Sequence, residues 1–248
     1  MAEQKLTNGG CSLEQLYQTE VVCLLCRREF RTARVRPSFK KPVKTDTDFC
    51  TYYKEGNENP EFYVVRVCPS CGFASTDSFV KTLNERQKQA FQEKVTTTWK
   101  PRDFGGHRTA AEAMYVYKLA LLTGQIIGER PRVMAGILHH IAWLYRYLGD
   151  EEGERRFLEY ALAEYIKVYE TEGEVSNGAR LMFLIGELHR RLKQYADAVK
   201  WFSRVVGDKR IMDAGMIRAC REGWASVREE MAAAKLDIPE EWSQSAGK

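Results

Sequence analysis

Four cysteines in two short pairs carry the plainest chemistry in this sequence: Cys23-Leu24-Leu25-Cys26 and, forty-one residues further on, Cys68-Pro69-Ser70-Cys71-Gly72. A C-x-x-C puts two thiolates on one tight turn, aimed at a common point, and two such turns supply the four sulfurs of a tetrahedral structural zinc site. Pro69 fixes φ inside the second turn, and Gly72 lets the chain pass close beneath an ion with φ > 0. Glu20-Val21-Val22 leads into the first pair and Tyr63-Val64-Val65-Arg66-Val67 into the second, both strand-like in composition. Strand, knuckle and returning strand, twice over, is the plan of a zinc ribbon. One structural Zn2+ held by Cys23, Cys26, Cys68 and Cys71 is the expected cofactor. Rubredoxin-type iron is the rival, since its second knuckle also reads Cys-Pro-x-Cys-Gly. Arg27 in place of a glycine after the first knuckle, and a long basic insert, favour zinc.

Four thiolates leave no open coordination position, so such an ion shapes its domain and performs no reaction. About 60 residues with few large apolar side chains build a weak core unaided. Metal binding of roughly 10–16 kcal/mol apparent supplies what that core lacks. Cys50 lies between the knuckles beside Asp46 and Asp48. It reads either as a redox or auxiliary thiol near the metal, able to exchange as a ligand on oxidation, or as a buried strand cysteine.

Catalytic patterns are scarce. His107, His139, His140 and His189 form no H-E-x-x-H, and there is no G-x-S-x-G, no G-x-x-x-x-G-K-[ST] and no H-x-E partnering the C-P-x-C. Asp46 and Asp48 make a D-x-D that in a strand would put both carboxylates on one face, but Pro42 and the polar run from Lys40 to Asp48 point to a loop. The expectation is a protein without enzymatic activity.

The wider chain must position these groups. Its 248 residues suffice for two domains, and 44% hydrophobic with 29% charged residues is ordinary globular composition. No apolar run approaches the roughly 20 residues that span a bilayer, and Met1 to Gly10 lacks a signal-peptide core. A cytoplasmic protein is expected; of its seven cysteines four sit in the paired knuckles and three are scattered, a pattern that reads as metal binding rather than a disulfide frame. The net charge of +4 lies wholly in residues 1–107, which carry 17 Lys/Arg against 13 Asp/Glu. Eight of those cations (Arg27, Arg28, Arg31, Arg34, Arg36, Lys40, Lys41 and Lys44) crowd one stretch with Glu29 as its lone acid, a candidate contact for a polyanion.

Ser12-Leu13-Glu14-Gln15 has capping-box spacing, which predicts a short helix over about 13–19. Strands are expected over 29–35 and 49–53, a turn at Gly56 to Pro60, and a helix from Asp77 to about Thr96. Pro101, Gly105 and Gly106 break the chain before a second capping box, Thr109 to Glu112, opens a helix to about Ile127. Pro131 suits the first turn of the next helix, and no proline follows from 132 to 238. A last amphipathic helix is expected over roughly 213–236.

Between those points the sequence repeats. Ile141-Ala142, Gly149, Phe157-Leu158 and Ala161 form one copy; Ile185-Gly186, Tyr195, Ala198, Trp201-Phe202 and Val205 form another, with Ala142 and Gly186 equivalent at a period of 44. Small residues let the two helices of a pair approach while bulky ones fill between them. This resembles the tetratricopeptide (TPR) repeat with lengthened helices, such as one over 151–169. The first copy departs from the pattern, with Glu151 and Glu154 where an aromatic and a small residue belong.

The expected fold is mainly α: a TPR-like antiparallel helical-hairpin stack behind a small N-terminal β zinc ribbon. Its parts are a tail and short helix (1–20), the ribbon (21–76), a connecting helix and Gly/Pro linker (77–107), the helical domain (108–236) and a loose tail (237–248). A TPR-like alignment makes His139, Trp143, Arg146 and Tyr147 from one pair, and Arg180, Phe183, Glu187, Arg190 and Arg191 from the next, the lining of an inner groove. Aromatic and arginine-rich, that groove suits an acidic or C-terminal segment of a protein partner. The Lys/Asn clamp of some TPR proteins is missing, since Trp143 and Glu187 stand at those positions. A competing class is nucleic-acid binding, with the cations of 27–44 on phosphates and Phe49, Tyr52 and Tyr53 stacking on bases.

Cys23-x-x-Cys26, Asp46-Thr47-Asp48-Phe49-Cys50 with Tyr52-Tyr53, Asn59-Pro60, and Cys68-Pro69-Ser70-Cys71-Gly72-Phe73-Ala74, followed by TPR-like helices, together resemble an uncharacterised bacterial family catalogued as domain of unknown function 2225. The resemblance implies a zinc ribbon joined to such helices and brings no activity with it.

Overall fold

The computed structural model describes residues 14–172 and 178–239. Its N-terminal part is three antiparallel strand pairs. The first joins β1 (Leu16–Val22) to β2 (Glu29–Val35) in the register Leu16↔Val35 to Val22↔Glu29. The helix expected over 13–19 is therefore corrected: Ser12 and Leu13 lie outside the described residues, and from Leu16 the chain is strand. Tyr17, Thr19, Val21 and Val22 are strand formers, and pairing with β2 outweighs a local capping signal. The second pair joins β3 (Pro42–Thr45) to β4 (Thr51–Tyr53). This shortens the expected loop over 40–48, with Pro42 at the strand's first residue where its missing N–H does no harm. The third joins β5 (Arg66–Val67) to β6 (Ala74–Ser75).

Seven helices follow among the described residues. α1 (Glu85–Lys94) is shorter than the helix expected from Asp77. Asn84 opens it through a capping box with Gln87, while 77–83 runs irregularly and buries Phe79 and Leu83. α2 (Ala110–Ile127) begins at the Thr109–Glu112 capping box as expected and stops at Gly128, φ +64°. α3 (Pro131–Tyr147) and α4 (Glu151–Thr171) pack as one hairpin, α5 (Gly178–Arg191) and α6 (Tyr195–Gly207) as another, and α7 (Ala214–Ala233) covers the last pair.

The two hairpins make their close approaches differently. A Cβ on Gly186 would stand 2.7 Å from the Phe202 ring, and one on Gly223 of α7 would stand 2.8 Å from the same ring. Phe202 is thus clasped between two glycines, Gly186 and Gly223. In the first hairpin the roles are exchanged: Gly153 on α4 lies against the ring of Tyr145 on α3. Glu154, which broke the sequence pattern, instead holds Arg146, Oε1 to Nη2 2.7 Å.

The Gly/Pro stretch before α2 is tied to the N-terminal part. Arg108 is 2% exposed and donates from Nε to the Phe104 carbonyl at 2.9 Å and from Nη1 to those of Phe62 (2.9 Å) and Val65 (2.7 Å). Gln18 donates to the Gly105 carbonyl at 2.9 Å. One apolar core runs from the cysteine knuckles through α1 to α5, and a second joins α5, α6 and α7.

Candidate metal centre and helical groove

Each cysteine pair occupies the turn of a hairpin, and the two turns share one backbone plan. The N–H of Arg27 donates to the Cys23 carbonyl (3.1 Å), and that of Cys23 to Arg28 (2.9 Å); likewise Gly72 to Cys68 (2.9 Å) and Cys68 to Phe73 (3.0 Å). The residue after each pair takes positive φ, +62° at Arg27 and +76° at Gly72. At Gly72 no side chain fits, because a Cβ would lie 2.6 Å from the indole of Trp99, whose Nε1 donates to the Pro69 carbonyl at 2.9 Å. At Arg27 the same conformation carries a full side chain.

The turns face each other. All four sulfurs lie within 4.8 Å of one another, with Cys23–Cys71 at 3.6 Å and Cys26–Cys68 at 3.7 Å. A tetrahedral ion with metal–sulfur bonds of about 2.3 Å needs sulfurs about 3.8 Å apart, so the set fits a metal ion. Its charge state argues the same way. The sulfur of Cys68 beside it pushes the Cys23 thiol up to about 12, and Cys71 is pushed up by Cys23 and then Cys68. Bonds from Cys23 and Cys71 hold Cys68 well below the usual thiol range, so protons are shared unequally within the cluster, and a divalent cation at the centre lets all four sulfurs ionise. Cys50 is not part of this cluster. It is fully buried, and burial pushes its thiol up to about 11, the reverse of a reactive cysteine. The auxiliary-ligand reading of Cys50 is corrected accordingly.

Between the knuckles in sequence, the β3–β4 hairpin reaches away from the cysteines and lays its loop across α3 and α5. The loop closes on itself, Asp46 N–H to the Cys50 carbonyl (2.8 Å) and Phe49 N–H to the Asp46 carbonyl (2.9 Å). Its Asp48 is fully buried. Arg146 grips both oxygens, Nη1 to Oδ1 at 3.0 Å and Nη2 to Oδ2 at 2.7 Å. His139 Nε2 (3.3 Å) and Trp143 Nε1 (3.2 Å) also reach Oδ2, and Arg191 Nη2 lies 3.3 Å from Oδ1. Burial alone would raise this carboxyl; the bonds from His139 and Arg146 and the charge of Arg191 outweigh it and hold the group far below the usual carboxylate range. Burial lowers His139, whose Nδ1 faces the Tyr165 hydroxyl at 3.4 Å. A neutral ring accepting from Tyr165 and donating to Asp48 meets both contacts.

The rest of the loop is held in kind. Asp46 Oδ2 accepts from Arg146 (3.0 Å) and Tyr52 (3.1 Å). Thr47 donates to the buried Glu187, which also accepts from Arg190 Nε (2.8 Å) and Arg191 Nε (2.9 Å). Phe49 sits beneath the Arg180 guanidinium, 4.2 Å from its ring centroid, and meets Phe183 edge-on at 6.1 Å. Tyr147 donates to the Thr51 carbonyl at 2.8 Å.

All nine side chains expected to line the groove meet one segment of this chain, residues 46–51. What is corrected is its openness: His139, Trp143, Phe183 and Glu187 are buried, because this chain's own acidic, aromatic loop fills the space. No sequence signal linked the D-x-D to the arginines, although opposite charge in two unassigned clusters was there to be matched. The stacking surfaces proposed for bases are also taken, Phe49 by Phe183 and Tyr52 by Tyr147, with ring centroids 5.6 Å apart in the second pair. Tyr53 turns its hydroxyl toward Glu61 at 3.5 Å.

Half of the basic stretch is likewise committed. Arg31 pairs with Glu20 and Arg34 with Asp77. Lys44 pairs with Asp46, and Arg36 donates to the Glu14 carbonyl. Arg27, Arg28, Lys40 and Lys41 stay exposed, with no ion pair among the described residues. An open cleft of about 1100 Å³ lies elsewhere, between 76–82 and the first half of α3, lined by Val64, Phe79, Tyr117, Val133 and His140 among others. Among the described residues no helix is long and apolar enough to cross a membrane.

No curated protein matches the chain. The family model described as an uncharacterised protein conserved in bacteria, DUF2225, matches residues 16–227, and the chain belongs to that family.

Proposed function

We propose that this protein is a non-enzymatic, cytoplasmic zinc-binding adaptor: a four-thiolate zinc ion shapes the N-terminal part, and the TPR-like helices take a segment of a protein partner on their concave face. One observation carries the reading. Arg146, Arg190 and Arg191, with Trp143, Phe183 and Arg180, are gathered from α3 and α5 onto a surface that already holds an acidic and aromatic stretch. Zinc is favoured over iron because four buried or half-buried thiolates with no open position suit an ion that neither reacts nor changes oxidation state. The test is affinity capture with the purified, metal-loaded protein, scoring recovered protein and recovered nucleic acid separately. Protein recovery that falls with Arg190→Ala and Arg180→Ala supports the adaptor. Recovery of nucleic acid alone, lost on neutralising Arg27, Arg28, Lys40 and Lys41, replaces it with the second reading, for which the exposure of those four cations is the support.

A further inference from the structure

The loop that fills the groove is built as a ligand is built. Its recognition elements occupy four consecutive positions: a carboxylate at Asp46, a hydroxyl at Thr47, a buried carboxylate at Asp48 and a ring at Phe49. Each meets its own receptor group on the helices: Arg146 for both acids, Glu187 for the hydroxyl, and Arg180 with Phe183 for the ring. The support behind it is slight. β3 is exposed along its length and β4 only half-buried, and a two-stranded hairpin alone is marginal in water. Phe49 is held at φ +71°, a conformation that a bulky residue adopts only when its surroundings impose it. Thr47 at the tip is exposed to solvent. The loop thus stays in place through charged, hydroxyl and ring contacts that another chain with the same chemistry can reproduce.

Resting on the adaptor reading, we infer that the partner segment is an acid–x–acid–aromatic peptide, which binds by displacing Asp46–Phe49 from the groove between α3 and α5. The tethered loop competes at an effective concentration of the order of millimolar. A segment in trans therefore meets a groove that is free only a small fraction of the time, and its apparent affinity is reduced by that fraction. Weakening the tethered copy raises affinity for the free one.

The experiment uses the full-length, metal-loaded chain and a fluorescent peptide, Lys-Thr-Asp-Thr-Asp-Phe-Ser-Thr-Tyr-Tyr. The Asp48→Asn variant, which loses the buried charge but keeps its shape, is expected to bind this peptide at least tenfold more tightly than the unaltered protein. Adding Arg146→Ala to it, or changing the peptide's second aspartate to asparagine, is expected to abolish binding. Equal affinity for Asp48→Asn and the unaltered chain, or a folded Asp48→Asn that binds nothing, overturns the inference. Hydrogen exchange on the unaltered protein reads the same event without any substitution: saturating peptide speeds exchange at the Asp46 and Phe49 amides, and unchanged exchange there counts as refutation. Peptide binding without any protein recovered from cells would sink the adaptor reading alone. A recovered partner indifferent to Arg146→Ala would sink this inference alone.

Discussion

The guanidinium of Arg146 meets the carboxylate of Asp48 side by side, 3.0 Å and 2.7 Å, across 98 positions of sequence. With both groups withdrawn from water, the pair is worth most when broken. Removing one partner of a buried pair costs about 3–5 kcal/mol, and Asp46 and Glu154, which also hold Arg146, put the loss of Asp48 at the lower end of that range. Asp48→Ala is expected to lower unfolding stability by about 3 kcal/mol, measured by urea denaturation, without reducing the metal content of the folded protein.

The same carboxylate sets a pH dependence. Its folded value is depressed, so its contribution is fully present above the unfolded value of about 4 and is lost as pH falls below that. His139 is depressed as well, through burial, so the unfolded chain takes up its proton first, and stability begins to fall as pH drops below about 6.5. Urea midpoints are expected to be flat from pH 8 to 7, to decline through pH 6 to 5, and to fall again below pH 4. His189 is lowered by burial too, so His139→Gln should reduce the first decline rather than abolish it, and leave the second. An unchanged first decline would assign it to another group.

Metal removal should act on one part of the molecule. A strong chelator is expected to extract one metal ion per chain and to expose four thiols to a thiol reagent, while most of the helical circular dichroism survives. Cysteine-to-serine changes at 23, 26, 68 or 71 should each reproduce this. Cys50→Ser should not, since Cys50 is outside the sulfur cluster.

The two knuckles should respond oppositely to exchange of their pivots. Gly72→Ala forces a Cβ against the Trp99 ring at φ +76° and should cost several kcal/mol. Arg27→Gly relieves a left-handed residue and should be neutral or stabilising by up to about 1 kcal/mol. Thermal unfolding of the metal-loaded variants measures both.

Much of this was legible because the signals were local. A C-x-x-C closes within four residues, so the paired cysteines announced their knuckles. Capping at Thr109, Pro131 and the glycine-rich break near 105 likewise act on their own neighbours. The 44-residue spacing grouped side chains of α3 and α5 that do meet one loop, since 3.6-residue periodicity fixes which side of a helix each one takes. The loop's destination was not legible. Asp48 finds Arg146 only once the ribbon is folded against α3, and no spacing rule spans such a distance. β1 was misread for the same reason, its strand state being conferred by β2. At α1 the fault was different: Asn84 with Gln87 was a capping box in plain view, and the apolar residues Phe79 and Leu83 drew the helix too early.

Arg108 has a bearing on where this chain can be divided. Composition puts a seam near 107, yet the very next residue is buried and tied to carbonyls at 62, 65 and 104. A fragment beginning there would lose every carbonyl that Arg108 bonds and would take Asp46 and Asp48 away from Arg146 and Arg191, leaving Glu154 and Glu187 as their counter-charges. The two halves are separate in sequence character and inseparable as physical objects.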